Sequence, residues 1–272
     1  MKIRKLYPKG KNKAFNITYD DGVLQDKRFI ELLDKYNIKG TFNLNSHLME
    51  TEFEWQHDNG TIIKRLSKDV ATNLYSHHEV ASHTLTHPYM YNLSQDQIIK
   101  ELKTDKENLS LLFNRDICGF ALPFDYYNDT IKSSVIECGF EYARITQVSH
   151  SYLIPDDFYA WTPSIFHTEN NLLDFVNEFL ECQDELALCQ IAGHSYDLDI
   201  EQMWDTINSI IEIISNNKDI ISMTHLEIVR YIKSMRMSII TNKYIENKSN
   251  DSLWFEINGN NVEILPKQNI LL

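Results

Sequence analysis

A chain of 272 residues can form one large α/β domain or two small ones, and 43% hydrophobic with 24% charged residues is typical of a globular protein. Its 39 acidic and 26 basic side chains give a net charge of -13, which repels nucleic acid and anionic membrane surfaces. The sequence has no apolar run near the ~20 residues of a membrane helix, so we expect neither nucleic acid nor a membrane as a partner.

The four cysteines have neither a CxxC pair nor the close spacing of a disulfide scaffold, so we expect reduced thiols. The basic N-terminus is not followed by an apolar run of signal-peptide length. Both features predict a cytoplasmic protein, or a secreted one if a leader has been removed. The sequence does not indicate an oligomeric state.

Predicted strands and helices alternate along the chain, beginning with two β-rich runs around a segment that has apolar side chains at helical spacing. This alternation predicts a parallel sheet. Because there are about seven or eight strands and no glycine-rich nucleotide loop follows the first, we predict a barrel. The predicted strands are 14–19, 41–45, 79–82, 117–122, 140–145, 186–193 and 220–224, and the predicted helices are 26–38, 67–78, a long helix with Ser94 as its N-cap, 129–138, 171–182 and 201–216.

Two segments fall outside this alternation. Residues 46–66 have no clear periodicity and are predicted to be a surface excursion that could cover a site. The sequence LWFEINGNNVEIL places an Asn-Gly turn between alternating runs, which predicts a β-hairpin near the C-terminus. We therefore predict a barrel domain over 1–240 and a hairpin extension, packed on the same domain, over 241–272.

The sequence TYDDG, residues 18–22, places two adjacent carboxylates at the end of the first predicted strand. In parallel α/β folds the active site forms at the carboxyl ends of the strands. Neighbouring side chains on an extended chain point in opposite directions, so Asp20 and Asp21 can have different roles only where the backbone turns, which Gly22 permits. Capping of the following helix by one of them is the structural alternative.

His83 and His87 lie four residues apart in SHTLTHP, residues 82–88. This spacing predicts a helical turn that brings both imidazoles to one side, with Pro88 ending the turn. An isolated pair of this kind is usually accidental, but carboxylates and a further histidine lie at other predicted strand ends. Two histidines and one carboxylate leave positions on a metal ion open for water and substrate, as a catalytic site requires.

The further histidine is His194, which follows an apolar strand in the sequence IAGHSYDLD. Its ordinary pKa of about 6.5 suits proton transfer at neutral pH, although a lone histidine after a strand is more often structural. The remaining candidates have no partner pattern, and we interpret them as structural: His77, His78, His150, His167 and His225.

Four segments, taken in order, resemble the successive motifs of the polysaccharide deacetylase family, which includes chitin and peptidoglycan deacetylases. They are TYDDG, SHTLTH, GFALPFD at 119–125 and IAGHSYD, and the match spans about residues 14–225. The ordered set is far more specific than any single motif. The fold that the resemblance implies is a distorted (β/α) barrel of about seven parallel strands, which agrees with the number of predicted strands.

The resemblance also implies a role for each matched residue. Asp20 would be the general base, and Asp21 would be a metal ligand. His83 and His87 would bind the same metal ion, and His194 would protonate the departing amine. The cofactor implied is one divalent ion, with zinc first and cobalt, manganese, nickel or iron as alternatives.

Two positions depart from the family's pattern. Many members place an arginine three residues before the aromatic residue of the third motif, where it holds the catalytic aspartate, and this chain has Ala121 there. The aromatic residue is kept as Phe124, and its backbone N–H could serve an oxyanion hole. The tryptophan of the fourth motif has no evident counterpart, and the sequence suggests that Arg144 on the next strand reaches Asp20.

The sequence therefore predicts a metal-dependent hydrolase that removes an acetyl or other acyl group from the nitrogen of an N-acetylated sugar or a small amide. A catalytically weak carbohydrate-binding barrel is an alternative because the family arginine is missing. A mononuclear Fe(II) oxygenase is another alternative because two histidines and one carboxylate also suit that chemistry. Aromatic side chains near strand ends are candidates to stack on a sugar ring, with ordinary packing as the alternative: Phe124, Tyr126, Trp161 and Tyr196.

Overall fold

The computed structural model of the chain describes residues 2–51 and 53–272, over which strands and helices alternate. The strands are β1 (Ile3–Leu6), β2 (Lys13–Asp20), β3 (Gly40–Leu44), β4 (Glu54–Gln56), β5 (Ile62–Lys64), β6 (Glu79–Ser82), β7 (Gly119–Ala121), β8 (Tyr142–Arg144), β9 (Ile165–Phe166), β10 (Ala187–Gly193), β11 (Ile220–Ser222), β12 (Ile239–Ile240), β13 (Tyr244–Glu246), β14 (Leu253–Ile257), β15 (Asn260–Ile264) and β16 (Asn269–Leu271). The helices are α1 (Asp26–Lys35), α2 (Ser46–Glu50), α3 (Lys68–Leu74), α4 (Gln95–Phe113), α5 (Asp129–Glu137), α6 (Leu172–Glu181), α7 (Asp197–Ile200), α8 (Trp204–Asn216) and α9 (His225–Arg236).

A parallel sheet forms the centre of the fold, in the order β8-β7-β6-β3-β2-β10-β9, with β11 beside the first half of β2. The chain that leads into β9 contacts both β8 and β10. Trp161 N donates to Ala143 O, and Ile145 N donates to Trp161 O, whereas Ser164 N donates to Gln190 O of β10. The sheet thereby curls into a ring, and the predicted distorted barrel of about seven parallel strands is confirmed.

The sequence explains why these strands lie at the centre. Every residue of β2 and β10 is buried, as expected of parallel strands that are covered on both faces. Helices cover the outer face with apolar stripes, which α1 builds from Phe29, Ile30 and Leu33. Because the strands are parallel, the loops after β2, β6, β7, β8 and β10 meet at one end of the barrel, where an active site is expected.

Several predicted elements differ in detail. Helix α9 was not predicted, although its capping box between Thr224 and Glu227 is a local signal for it. The predicted helix 201–216 begins only at Trp204, after the separate short α7. Among the described residues, none of the helices is both long and apolar enough to cross a membrane.

The excursion and the C-terminal segment form small antiparallel sheets. In 46–66, β4 pairs with β5, and Leu66 N donates to Gly22 O, which ties the segment to the end of β2. The predicted hairpin is confirmed: β14 pairs with β15 around Asn258 and Gly259, whose φ angles of 50° and 86° suit a tight turn. The hairpin adds to β1, and β12, β13 and β16 form another sheet. The domain division at residue 240 stays a prediction.

A buried carboxyl group beneath the barrel's active end should make stability depend on pH. Asp105 of α4 is fully buried and accepts from Ser46 N at 2.7 Å and Ser82 Oγ at 2.6 Å. Burial raises its pKa to about 7. An acid whose pKa is raised by folding favours the folded state most below its unfolded pKa, and this contribution is lost as the pH rises through 4 to 7.

The wild-type protein should lose unfolding free energy when the pH rises from 5 to 8. We expect this loss to be smaller by roughly 2–3 kcal/mol in Asp105→Asn. Denaturant unfolding in a chelator at the two pH values measures this. Glu107→Gln, an exposed change on the same helix, should leave the wild-type difference in place. An equal loss of unfolding free energy between pH 5 and 8 in Asp105→Asn and in wild type would contradict the prediction.

Candidate functional site

The two aspartates diverge at the end of β2 because the backbone turns sharply there. The turn begins at Asp21 itself, with φ of 85°, and continues at Gly22 with φ of 63°. Left-handed backbone is uncommon outside glycine and often marks functional sites. Asp20 ends the strand and faces Arg144, whereas Asp21 faces Arg65, so the two carboxylates have different partners.

His83 and His87 follow β6 in an irregular loop, so the predicted helical turn is wrong. Thr84 and His87 have φ angles of 69° and 57°, and Thr84 Oγ1 accepts from His87 N at 3.1 Å. This loop nevertheless brings the two rings together, with centroids 4.8 Å apart. Convergence of the imidazoles, which the spacing predicted, is achieved by left-handed residues rather than by a helix.

Asp21, His83 and His87 form a candidate metal centre. Their ligand atoms all lie within 4.8 Å of one another, with Asp21 Oδ1 3.6 Å from His87 Nε2 and 4.0 Å from His83 Nε2. His83 Nδ1 donates to Ala121 O at 2.9 Å, which directs Nε2 towards the carboxylates. Ala121, at the position of the family arginine, therefore contributes its carbonyl group to the site.

The protonation states of these three residues suit metal binding. Burial lowers the pKa of His83 to about 3 and also lowers that of His87, so both rings are neutral at pH 7. Burial alone would raise the pKa of Asp21, but nearby positive groups, Arg65 first among them, together lower it and keep the carboxylate ionised. Neutral imidazoles and an ionised carboxylate are the forms that bind a divalent cation, so the residues fit such an ion.

Asp20 is held beside this centre by Arg144. Arg144 NH2 lies 2.6 Å from Asp20 Oδ1 and 2.5 Å from Oδ2, and Asn43 Nδ2 donates to Oδ1 at 2.7 Å. Burial raises the pKa of Asp20, but nearby positive groups, Arg144 first among them, together lower it below the ordinary value. The contact suggested by the sequence is present, so the arginine that contacts Asp20 comes from β8 and not from position 121.

Arg65 was not predicted as a site residue. It is 4% exposed, its NH1 lies 2.8 Å from Asp21 Oδ1, and it also donates to Asp21 O. Its guanidinium lies over the Trp55 ring, 5.4 Å from the centroid. Both residues come from the 46–66 excursion, which therefore lies beside the site. No local sequence signal marks Arg65, because its partner is 44 residues away.

His194 follows β10 and forms a dyad with Asp197, which was also not predicted. The distance from His194 Nδ1 to Asp197 Oδ2 is 2.9 Å, and His167 Nε2 lies 3.4 Å from the same oxygen. Burial lowers the pKa of His194, but the hydrogen bond to Asp197 and the charges of the two site aspartates raise it to about 9. A nearby cation would oppose this rise. Asp197 lies within the motif IAGHSYD, so its i+3 spacing was the available signal.

The four aromatic candidates lie at different distances from the site. Phe124, with φ of 59°, places its ring 4.7 Å from that of His87. Tyr196 stacks on His194 and donates to Asp21 Oδ2 at 3.3 Å.

The other two candidates lie further away. Tyr126 is exposed and contacts Tyr91 rather than a site ligand. Trp161 is 1% exposed and packs against Phe158 and His225 in the core, so the structure does not bring it to the site. For Trp161 the packing alternative therefore holds.

Known structures share the fold. A candidate polysaccharide deacetylase from Mycobacterium smegmatis aligns with 88% of this chain and 96% of its own, at 14% identity and a TM-score of 0.62. A family 4 carbohydrate esterase from Streptomyces lividans, solved with acetate, aligns with 78% of this chain and 92% of its own, at 16% identity and a TM-score of 0.54. These likenesses concern the fold alone.

A third structure covers less. The deacetylase PplD of Streptococcus pyogenes aligns with 48% of this chain, at 22% identity and a TM-score of 0.42, and the chain spans only 55% of that protein. No curated protein sequence matches the chain. The model of the family "Polysaccharide deacetylase", in contrast, matches residues 8–143, which is half of the sequence. The chain therefore belongs to the polysaccharide deacetylase family.

Proposed function

We propose that this protein is a metal-dependent deacetylase that hydrolyses the amide bond of an N-acetylated saccharide. The observation that carries the proposal is the approach of Asp21, His83 and His87 to within 4.8 Å beside a second, ionised carboxylate. Three protein ligands leave coordination positions for water and substrate, which distinguishes catalytic from structural sites.

The proposed reaction begins with removal of a proton from water by Asp20. A divalent cation held by Asp21, His83 and His87 would lower the pKa of water and polarise the acetyl carbonyl. The lowered pKa of the water is needed because Asp20, whose own pKa is lowered, is a weak base. Arg144 and Asn43 hold the Asp20 carboxylate in one orientation, so it can accept the proton without reorganisation.

The second half of the reaction needs an acid. After the water oxygen has bonded to the carbonyl carbon, the C–N bond breaks, and His194 gives the departing nitrogen a proton. Asp197 accepts a hydrogen bond from Nδ1, which leaves Nε2 as the atom that can transfer the proton. Acetate and a free amine are the products. The hydrogen bond to Asp197 supports this role because it favours the protonated ring and raises the pKa of His194.

The residues around the metal centre support a saccharide substrate. Two aromatic residues contact the ligand set: the ring of Phe124 contacts that of His87, and the hydroxyl group of Tyr196 contacts Asp21. Aromatic faces beside polar groups suit a sugar ring, which has apolar C–H faces and polar edges. A small non-sugar amide is the alternative substrate.

Acetate release from metal-stripped and metal-reloaded protein tests the proposal. The protein is treated with chelator, reloaded separately with zinc, cobalt, manganese, nickel or iron, and assayed on N-acetylated sugars, oligosaccharides, acetyl esters and small amides. We expect acetate only from reloaded protein. Stoichiometric metal without acetate release from any substrate would instead favour a carbohydrate-binding barrel.

A further inference from the structure

Arg65 pairs with the same carboxylate oxygen that faces the two histidines. Its NH1 lies 2.8 Å from Asp21 Oδ1, and His87 Nε2 and His83 Nε2 lie 3.6 Å and 4.0 Å from that oxygen. The other carboxylate oxygen, Oδ2, accepts a hydrogen bond from the Tyr196 hydroxyl group. A cation held by the aspartate and the two histidines would therefore share Oδ1 with the guanidinium of Arg65.

The backbone that carries Arg65 is attached to the turn that carries Asp21. Arg65 forms an antiparallel β-bridge with Val23, and Leu66 N donates to Gly22 O at 2.8 Å. The guanidinium also donates to the backbone oxygen of Asp21. The fold therefore fixes the distance between this positive charge and the metal ligands, as it would not for a mobile surface side chain.

Water does little to screen the charge of Arg65. The residue is 4% exposed, and the ring of Trp55 covers the guanidinium with its centroid 5.4 Å away. Over residues 2–51 and 53–272, Asp21 is the only carboxylate within ion-pair distance of this guanidinium. Because buried charges interact more strongly than exposed ones, a cation at the centre would be repelled by a nearly unscreened positive charge.

The two carboxylates of the site are each paired with one guanidinium. Arg144 pairs with Asp20 and Arg65 pairs with Asp21, and both pairs are buried. A divalent cation therefore enters a group of charges that is already balanced. Only Arg65 contacts a metal ligand, so its charge acts on the cation most directly.

We propose that Arg65 is a built-in counter-ion of the metal centre, which weakens the binding of the cation and stabilises the metal-free protein. The guanidinium repels a cation on the shared oxygen, and it compensates the buried charge of Asp21 when no cation is bound. This inference rests on the proposed function. It adds a means of regulation to the same site, because an arginine of the 46–66 excursion, outside the four motifs, sets the affinity for metal.

The metal affinity of arginine variants tests this inference. Zinc and cobalt are titrated separately into chelator-treated protein in competition with a chromophoric chelator. We expect Arg65→Met to bind both ions about 10- to 100-fold more tightly than wild type, which is the usual size of an effect from a group that contacts a ligand. Arg65→Lys keeps the positive charge and should bind them with close to wild-type affinity. Arg115→Met, which lies before β7 at the other end of the barrel, is the matched control and should not change the affinity.

Thermal unfolding adds a measurement that a merely structural role would not affect in the same way. Without metal, Arg65→Met leaves the charge of Asp21 buried and uncompensated, so its melting temperature should lie below that of wild type. Saturating zinc should narrow this difference, because the ion supplies the missing charge and binds the variant more tightly. If the methionine variant does not fold without metal, Arg65→Gln, which is neutral and keeps an N–H donor, takes its place in both measurements.

The outcomes separate this inference from the proposed function. Equal or weaker metal binding by Arg65→Met, or a stability loss that zinc leaves unchanged, overturns the role of Arg65 even when acetate is released. Tighter metal binding by the variant, with no acetate from any preparation, supports the role of Arg65 and refutes the hydrolase. Wild-type protein that binds neither ion refutes both.

Discussion

Replacement of His87 by alanine is expected to remove the bound metal ion and the hydrolytic activity together. Its Nε2 lies 3.6 Å from Asp21 Oδ1, so it is one of three groups that can hold the cation. Loss of a group that merely orients a ligand weakens metal binding about 10- to 100-fold, and loss of a ligand should weaken it more. Metal content after dialysis and acetate release from the same preparation measure the two effects.

The matched control for this change is His77→Ala. His77 is an exposed histidine just before β6, at the end of the barrel opposite the site. Its replacement should leave both metal content and activity at wild-type values. Full acetate release by metal-free His87→Ala protein would refute the proposed metal centre.

The second large effect is expected from Arg144→Met. Arg144 and Asp20 are buried together, and removal of one partner of a buried pair costs about 3–5 kcal/mol because the other charge is left uncompensated. The pKa of Asp20 is lowered in the folded protein, so the pair stabilises at pH values above the unfolded pKa and loses its effect as the pH falls through the folded pKa. The loss in unfolding free energy should therefore be large at pH 7 and smaller at acid pH.

Activity and a second-site change extend the test of Arg144→Met. Without the guanidinium the pKa of Asp20 rises, so the acid limb of the kcat/KM profile should move to higher pH. Adding Asp20→Asn removes the stranded charge and should recover much of the stability while abolishing activity. Arg230→Met, which breaks an exposed pair with Glu141, is the control and should cost less than about 1 kcal/mol. Equal stability losses in the two arginine variants would contradict the assignment.

The sequence predicted more of the fold than of the contacts that hold the site residues in place. Alternation of β-rich and amphipathic runs indicated the parallel barrel, and the Asn-Gly pair indicated the C-terminal hairpin. These are local patterns that each segment carries by itself. Helix α9 was not predicted, although its capping box is also a local signal that the sequence contains.

The partners of the reacting groups were harder to predict. Arg144 was suggested as the partner of Asp20 only because its strand follows the third motif, whereas Arg65 reaches Asp21 from a segment without periodicity. The burial of Trp161 depends on closure of the barrel between β8 and β10. None of these contacts follows from spacing along the chain.

By itself, the sequence determined which side chains stand at the ends of consecutive strands, since the order of Asp20, Asp21, His83, His87 and His194 follows from local periodicity and motif. Only the tertiary structure decided which cation neutralises which carboxylate and which aromatic rings reach water. The reason is physical: ion pairs and ring contacts act over a few ångströms in space, and the residues that form them can lie anywhere along the chain. Those distances are fixed when the strands of the barrel pair, and no single segment contains that information.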